Sequence, residues 1–266
     1  MLSFMTTLAS RTIAALRAEH DQLATSVAAL SPAELTGPSG AAEWTVAQVI
    51  SHMGSGAEIS LANYRGSAGE TAPPGPEFNQ SVWDRWNAMS PADQAAGWFA
   101  ANAELVEKLE ALTAEQHDSM KVDLGFLPAP ISLESYAGMR LNEVVQHGWD
   151  VRVATDPSAT LTDASAQVLA EHFAGGLSFL FGFIGKPAEA GQPAVISIGE
   201  TPFSFVLDEG ARITPDAPEA TAAFTGGLES AVRLVAGRLG PRYTPAGVTV
   251  TGNVTLDELR RVFPGY

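Results

Sequence analysis

The chain has 266 residues, of which 45% are hydrophobic and 17% charged, so it is not a disordered protein, and its length makes two domains a fair expectation. A formal net charge of −15 disfavours binding to nucleic acid or to an anionic membrane surface, because both depend on excess lysine and arginine. The chain contains no cysteine, which excludes disulfides, thiolate metal ligands and a cysteine nucleophile. Any thiol chemistry would therefore need a thiol cosubstrate.

The N-terminus lacks the uninterrupted apolar core of a signal peptide, since Thr, Ser and Arg interrupt it early. No apolar run approaches the ~20 residues that cross a bilayer. We therefore expect a soluble cytoplasmic protein.

Apolar residues recur at helical spacing from 7 to 30, which predicts an amphipathic helix with His20 on its buried stripe. We interpret His20 as a hydrogen-bonded core residue, with a place beside a buried site as the alternative. The stretch 31–40 predicts a loop, because it is rich in Ser, Pro and Gly. Thr45 and Gln48 then predict a capping box at the start of a second helix, which carries His52 at the edge of its apolar stripe.

A connection rich in Gly and Pro is predicted over 66–76, and a third helical region follows to about Leu112, interrupted near Ser90-Pro91. After an irregular stretch at 118–130, Ser132 is the predicted N-cap of a fourth helix, with Glu134 in its first turn. Four amphipathic helices predict a four-helix bundle over residues 1–154.

The segment 154–162 contains Asp156-Pro157 and predicts a domain boundary. A helical stretch is expected at 165–184. Further helices are expected at 228–239 and 255–263, the last with a capping box of Thr255 and Glu258. Strands are predicted where β-branched and aromatic residues concentrate, at 194–198, 203–207, 222–224 and 248–250. The second domain, 160–266, is thus expected to be smaller and mixed, which makes the fold class two-domain α+β.

The fourth helix carries Glu143 and His147 four residues apart, so both face one side of it. Taken alone, this spacing also fits solvated ion pairs, of Arg140 with Glu143 and of His147 with Asp150. With His52 from the second helix, however, the two side chains make a nitrogen and oxygen ligand set that suits a divalent metal. Three protein ligands leave a position open for water or substrate, which is typical of a catalytic site.

Two motifs resemble the mycothiol-dependent maleylpyruvate isomerase family. They are Glu43–His52, with Trp-Thr-Val followed by His, and Asn142–Arg152, with Glu-x-x-x-His-Gly-Trp-Asp-Val-Arg. The resemblance extends to Ala231–Arg238 and Val248–Val262 and so covers most of the chain. It implies a DinB-like four-helix bundle followed by a sterol-carrier-like α+β domain.

By that resemblance His52, Glu143 and His147 match the family's metal ligands, with zinc as the ion and mycothiol as the thiol cosubstrate. Asp150 and Arg238 match recurrent positions of the family. We assign Asp150 to the catalytic residues and Arg238 to cofactor binding.

A dicarboxylate substrate would need a guanidinium group nearby. Arg140 lies on the ligand face of the fourth helix, one turn before Glu143, and is the best candidate for a catalytic arginine; a helix-spaced pair with Glu143 is the alternative. Arg65, Arg85 and Arg152 are further options.

The resemblance implies an enzyme whose metal favours the thiolate of a small thiol. The thiolate would either isomerise a maleylpyruvate-like cis double bond to trans or be transferred to another small electrophile. Two alternatives stay open. One is a non-catalytic small-molecule binding protein, which the apolar run Phe173–Ile184 favours. The other is a metal-dependent hydrolase with Asp150 or His20 as general base.

Overall fold

The computed structural model describes residues 7–265. The chain divides into two compact units, the first ending at Ala159 and the second beginning at Thr160. The N-terminal segment from which the absence of a signal peptide was predicted lies mostly outside the described residues.

Helices make up most of the first unit. They are α1 (Leu8–Ala28), α2 (Pro32–Leu35), α3 (Val46–Ser67), α4 (Phe78–Asn87), α5 (Pro91–Glu110), α6 (Ala114–Ser119) and α7 (Leu133–Arg152). A short antiparallel sheet of β1 (Lys121–Val122) and β2 (Ile131–Ser132) precedes α7. The long helices α1, α7, α3 and α5 pack in that cyclic order, each against two others, and form the predicted four-helix bundle.

The core of the bundle depends on the spacing of apolar residues in α3. Val46, Val49, Ile50 and Met53 recur three and four positions apart and are completely buried. His52 lies on the flank of this stripe, where 38% of its side-chain surface is exposed. The same periodicity that buries the apolar face of α3 therefore places His52 at the rim of the core.

Local signals at the helix starts are largely as predicted. The Thr45 and Gln48 capping box begins α3, and Ser132 caps α7 by accepting a hydrogen bond from the backbone N–H of Ser135. The interruption near Ser90-Pro91 is the break between α4 and α5, with Ser90 as the N-cap of α5.

Two short helices of the first unit were not predicted: one lies within 31–40, which was expected to be a loop, and the other lies mostly between the third helical region and the irregular stretch expected at 118–130. Within 31–40, Ser31 and Glu34 form a capping box that starts α2, with a proline at its first position. Likewise, Thr113 and Gln116 form a capping box that starts α6. Reciprocal capping bonds stabilise single turns that have too few apolar residues to show a period.

The described part of the second unit, residues 160–265, contains a five-stranded sheet and four helices. The helices are α8 (Asp163–Ala174), α9 (Phe181–Ile184), α10 (Leu228–Val235) and α11 (Leu256–Val262), and single 3-10 turns lie at Ser178–Leu180, Pro187–Ala190 and Pro241–Tyr243. The strands are β3 (Ala194–Ile198), β4 (Ser204–Leu207), β5 (Ala211–Thr214), β6 (Ala222–Phe224) and β7 (Val250–Gly252). Their order is β5-β4-β3-β6-β7, and only β3 and β6 are parallel.

Several boundaries in the second unit differ from the sequence prediction. The helix expected over 165–184 ends at Ala174, just before two consecutive glycines, and resumes only at Phe181. The helix expected over 228–239 ends at Val235, because Gly237 adopts a left-handed conformation with φ of 73°. The last strand lies at 250–252 rather than 248–250, and β5 was not predicted.

Within residues 7–265 no single helix is long and apolar enough to cross a membrane. One pair of helical segments, Asp163–Ala174 and Ser178–Ile184, passes the same test by length and composition, but it is bent by 77°.

Gly54 of α3 allows the ring of Trp86 to pack directly on the helix, because a Cβ at this position would overlap that ring. We expect Gly54→Ala to lower the free energy of unfolding of the first unit by about 1–3 kcal/mol, since the overpacking outweighs alanine's higher helix propensity. Urea unfolding followed by tryptophan fluorescence would measure this, because all five tryptophans belong to the first unit.

Gly182→Ala is the control for this substitution, because Gly182 of α9 has a helical backbone and open space around it. Gly69→Ala would not serve, because Gly69 has φ of 72°, which an alanine rarely adopts. Gly182→Ala should leave the fluorescence transition in place. An unchanged midpoint for Gly54→Ala would contradict the packing described for Trp86.

Candidate metal site

Two helices of the bundle bring the three predicted ligands together. His52 lies in the second turn of α3, and Glu143 and His147 lie one turn apart on α7. Glu143 Oε2 is 3.1 Å from His52 Nε2 and 3.7 Å from His147 Nε2. One ligand atom from each residue lies within 4.8 Å of the other two.

This spacing suits a small divalent ion. Tetrahedral coordination with bonds of about 2.1 Å separates neighbouring ligand atoms by about 3.4 Å, and both distances to Glu143 lie close to that value. The side chains of His52 and Glu143 are exposed by 38% and 33%, whereas that of His147 is exposed by only 9%. The cluster is therefore anchored on one side and accessible on the other.

Asp150 sets the orientation of the His147 ring. Its Oδ2 lies 2.9 Å from Nδ1 of His147, and the residue is completely buried. An ionised carboxylate can only accept a hydrogen bond, so Nδ1 donates, and Nε2 is the ring nitrogen that faces the cluster. Metal-binding histidines commonly donate one ring N–H to a carboxylate in this way and bind the metal through the other nitrogen.

Gly40 holds the end of α7 near this pair. Its backbone N–H donates to the carbonyl oxygen of Asp150 at 2.8 Å. A Cβ on Gly40 would lie 2.9 Å from Asp150 Oδ1 and 2.7 Å from Val153 Cγ1, so glycine is required for the close approach.

The charge of Glu143 is stabilised by its neighbours. Burial opposes ionisation, but the hydrogen bond with His52 and the charges of His147, His52 and Arg140 outweigh it and lower the pKa of Glu143 from 4.5 to about 2. Glu143 is therefore an anionic ligand at neutral pH.

Arg140 lies in the interior of the bundle. Its Nη2 donates to the carbonyl oxygen of Met53 and to Oδ1 of Asn102, both at 2.8 Å. Burial lowers the pKa of Arg140 to about 10, partly offset by the charge of Glu143, so the guanidinium stays charged at neutral pH. The charges of Arg140 and Glu143 each favour the ionised form of the other. A contact between Arg140 and substrate stays a prediction.

A hydrogen-bond chain connects Arg140 to His20. Because arginine has no acceptor, Asn102 must present Oδ1 to it, so the amide nitrogen of Asn102 faces His20 Nδ1 at 2.9 Å. His20 Nδ1 therefore accepts, and the ring carries its proton on Nε2. Burial, helped by the charges of Arg17 and Arg140, lowers the pKa of His20. The interpretation of His20 as a hydrogen-bonded core residue is confirmed.

The other arginines considered for substrate binding are engaged in ion pairs. Arg65 contacts Glu104 at 2.6 Å, and Arg85 contacts Glu58. Arg152 lies 3.5 Å from Glu19, which is almost completely buried.

Trp44 packs against the candidate metal ligands, although the sequence indicated no role for it beyond its place in a family motif. Its ring lies 5.3 Å from that of His52 and stacks at 6.2 Å on that of His147, measured between centroids. Glu43, immediately before it, has φ of 67°, the only positive value among the described non-glycine residues. Such a conformation costs about 1 kcal/mol or more and often occurs at functional sites. The signal in the sequence was the position of Trp44 just before the helix that bears His52.

Residues 16–152, just over half of the chain, match the mycothiol maleylpyruvate isomerase N-terminal domain. The chain belongs to this family. The resemblance drawn from the two sequence motifs is confirmed, and the matched region contains His52, Arg140, Glu143, His147 and Asp150.

Two crystal structures of the mycothiol-dependent maleylpyruvate isomerase, one of them a histidine-to-alanine variant, are similar to this chain. Each has 19% sequence identity and a TM-score of 0.64, over 93% of this chain and 96% of the other. At this identity the likeness shows the fold, and it confirms the predicted α+β class, a helical bundle followed by a sheet-containing domain. No curated protein matches the sequence significantly.

Arg238, predicted to bind the cofactor, lies outside the region that matches the family. It belongs to the second unit, is 8% exposed, and its Nη1 donates to the carbonyl oxygen of Ala236 at 2.8 Å. Its role in cofactor binding stays a prediction.

The lowered pKa of Glu143 predicts a pH-dependent contribution to the stability of the metal-free protein. A carboxylate with a depressed folded-state pKa stabilises the fold above its ordinary pKa of 4.5, and this stabilisation is lost as the pH falls toward 2. We expect Glu143→Gln to lower the free energy of unfolding near pH 6 and to have progressively less effect below about pH 4. Urea unfolding at a series of pH values, followed by tryptophan fluorescence, would measure the trend.

Glu77→Gln is a suitable control, because Glu77 is exposed and makes no side-chain capping bond at the start of α4. A destabilisation by Glu143→Gln that stays constant across the pH range would contradict the electrostatic account.

Proposed function

We propose that this chain is a metal-dependent enzyme that uses a low-molecular-weight thiol, mycothiol by its family, to act on a small electrophile. The observation that carries the proposal is the cluster of His52, Glu143 and His147, with the His147 ring oriented by Asp150. Two imidazoles and one carboxylate, with an accessible side, are a donor set that suits zinc.

The chain would supply the metal ligands, and the cosubstrate would supply the sulfur. His52 and His147 would each offer Nε2, and Glu143 would offer Oε2, which makes the ligand set singly negative. A divalent cation held there would lower the pKa of a coordinated thiol and so supply a thiolate near neutral pH. Because the chain has no cysteine, the sulfur must come from the cosubstrate.

Isomerisation and transfer would share the first step, in which the thiolate sulfur would add to one carbon of an activated C=C bond while the π electrons move to the conjugated carbonyl as an enolate. In isomerisation the remaining C–C single bond would rotate, the enolate electrons would re-form the double bond as the C–S bond breaks, and the thiolate would be released unchanged. In transfer the enolate carbon would take up the proton that the thiol lost, and the C–S bond would remain in the product. Membership of the family supports isomerisation.

The hydrolase alternative is less well supported. It needs a general base beside the metal, and both candidates are already engaged. Asp150 accepts the hydrogen bond from His147, and His20 packs against Trp98 and Phe99 while accepting from Asn102.

The proposal predicts about one zinc or similar ion per chain in the purified, metal-supplemented protein. We expect His52→Ala and His147→Ala to lose this ion, because each removes one of three ligands, while the far-ultraviolet circular dichroism of the helical bundle is retained. Elemental analysis would measure the stoichiometry. His117→Ala, a change in α6 away from the cluster's ligand set, is the control and should keep the ion.

Turnover of maleylpyruvate would then be measured with and without mycothiol. Thiol-dependent turnover by the metal-loaded protein supports the proposal. Stoichiometric metal in His147→Ala would refute the ligand assignment, and metal-dependent turnover that needs no thiol would favour hydrolysis.

Asp150→Asn is expected to weaken metal affinity about 10- to 100-fold, because an amide oxygen is a poorer acceptor for His147 Nδ1 and no longer makes Nε2 a stronger donor. Competition with a chromophoric chelator would give the affinity. Asp156→Asn provides the matched control, since Asp156 is exposed and its carboxylate accepts hydrogen bonds from the backbone N–H and the hydroxyl of Ser158. Equal affinities for the two variants would rule out the orienting role of Asp150.

A further inference from the structure

A pocket of about 380 Å³ opens beside the proposed metal site and lies wholly within the first unit. Two helices line it with residues that recur at helical spacing. Gln48, His52 and Ser55 follow one another along one side of α3. Trp83 and Asn87 lie four residues apart on α4. Because His52 is also a candidate metal ligand, a molecule bound to the metal would border this pocket.

Two exposed indole rings line the pocket. Of the five tryptophans, Trp86, Trp98 and Trp149 are buried, whereas Trp44 and Trp83 are exposed by 40% and 42%, and both of these belong to the pocket wall. The C–H face of a saturated ring removes apolar surface from water when it packs on an indole, as an aromatic ring does. The exposed tryptophan surface of this chain is therefore concentrated where a ring-shaped ligand would cover it.

The other lining side chains offer hydrogen bonds of both kinds. Oε1 of Gln48 accepts the capping bond at the start of α3, so its NH₂ group is the donor left for a ligand. The NH₂ group of the buried Gln94 donates to the carbonyl of Trp86, so its Oε1 is the acceptor left for a ligand. Asn87 adds an amide that can do both. Hydroxyl groups donate and accept at once, so a polyhydroxylated ring suits this mixture.

The charges at the site favour a thiol that is otherwise uncharged. Two imidazoles and one carboxylate make the ligand set singly negative, so a divalent cation held there would leave one positive charge. A thiolate would neutralise that charge. None of the described residues that line the pocket carries a carboxylate, guanidinium or ammonium group. A further charged group of the thiol, placed in the pocket, would therefore lose hydration without gaining a partner.

We propose that the pocket lined by Trp44 and Trp83 binds the uncharged, polyhydroxylated ring of a sugar-bearing thiol whose sulfur is held by the metal. Mycothiol is a thiol of this kind, because its N-acetylated cysteine is joined through an amide to a sugar and a cyclitol. The inference rests on the proposed function for identifying the ring as part of the thiol cosubstrate. It concerns the thiol alone and leaves the electrophile as proposed above.

Cobalt(II) in place of zinc gives a direct measure of thiol binding, because a coordinated thiolate adds an absorption band in the near ultraviolet. Mycothiol and 2-mercaptoethanol would each be titrated into the cobalt-loaded protein. Trp83→Ala should raise the dissociation constant of mycothiol about fivefold or more, and Trp83→Phe, which keeps a flat apolar face, should restore most of the affinity. Because 2-mercaptoethanol has no ring, both variants should bind it as the unchanged protein does.

Three controls separate ring binding from general effects. Phe126→Ala removes an aromatic ring that is 69% exposed and does not line the pocket, so the affinity for mycothiol should be unchanged. Glutathione, a thiol with two carboxylates and an ammonium group, should bind more weakly than mycothiol and should not respond to Trp83→Ala. Methyl α-D-glucoside tests the ring without the sulfur. It should move the indole N–H signals of Trp44 and Trp83 saturably in ¹H–¹⁵N spectra.

The proposal is overturned if Trp83→Ala leaves the affinity for mycothiol unchanged, or if it weakens the binding of 2-mercaptoethanol as much as that of mycothiol. It is also overturned if Phe126→Ala has the same effect as Trp83→Ala, or if glutathione binds more tightly than mycothiol.

Failure of this proposal is distinct from failure of the proposed function. A metal-loaded chain with thiol-dependent turnover, but with no effect of Trp83→Ala on mycothiol binding, would refute the sugar pocket alone. A chain that binds no metal, yet whose Trp83 signal moves with the glucoside, would refute the proposed function and keep the sugar pocket. If that signal does not move either, both are refuted.

Discussion

The hydrogen bond between His147 and the buried carboxylate of Asp150 is the interaction on which the candidate site depends. It selects the imidazole nitrogen that faces Glu143 and His52, and it fixes the ring in one orientation. The bond is possible only because α7 presents both side chains, three residues apart, on one face. It is kept in place by Gly40, which approaches the last turn of α7 more closely than a larger residue could.

Helix α7 also contains several buried polar residues. Arg140, Asn142, Gln146 and His147 are all at least nine-tenths buried, and both amide atoms of Gln146 lack a hydrogen-bond partner. Each such group costs free energy that an apolar residue would not. The guanidinium of Arg140 donates hydrogen bonds to Met53 and Asn102, and its positive charge helps keep Glu143 ionised. The buried polar residues of α7 therefore lower the free energy of unfolding, while the charge of Arg140 stabilises the carboxylate of Glu143 in the cluster.

Much of this could be predicted from the sequence, because the relevant signals are local. Capping boxes mark helix starts within four residues, and the spacing of Glu143 and His147 places both on one face whatever the surrounding fold. The convergence of His52 on that face followed from resemblance to a family, since no local rule reports which helices become neighbours. The hydrogen bonds of Arg140 to Met53 and Asn102 could not be predicted, because both partners lie on other helices and leave no trace in the sequence around Arg140.

The segment that leads into α3 is restrained at several points. The backbone N–H of Gly40 bonds to Asp150, the N–H of Val46 bonds to the carbonyl of Gly37, and Pro38 forms an isolated bridge with Thr45. Most surface connections tolerate changes in length, but an inserted residue here would shift Trp44 relative to both histidines and pull on the end of α7. The segment between Gly37 and Val46 therefore acts as a spacer of fixed length, and its length sets where the Trp44 ring lies relative to both imidazoles.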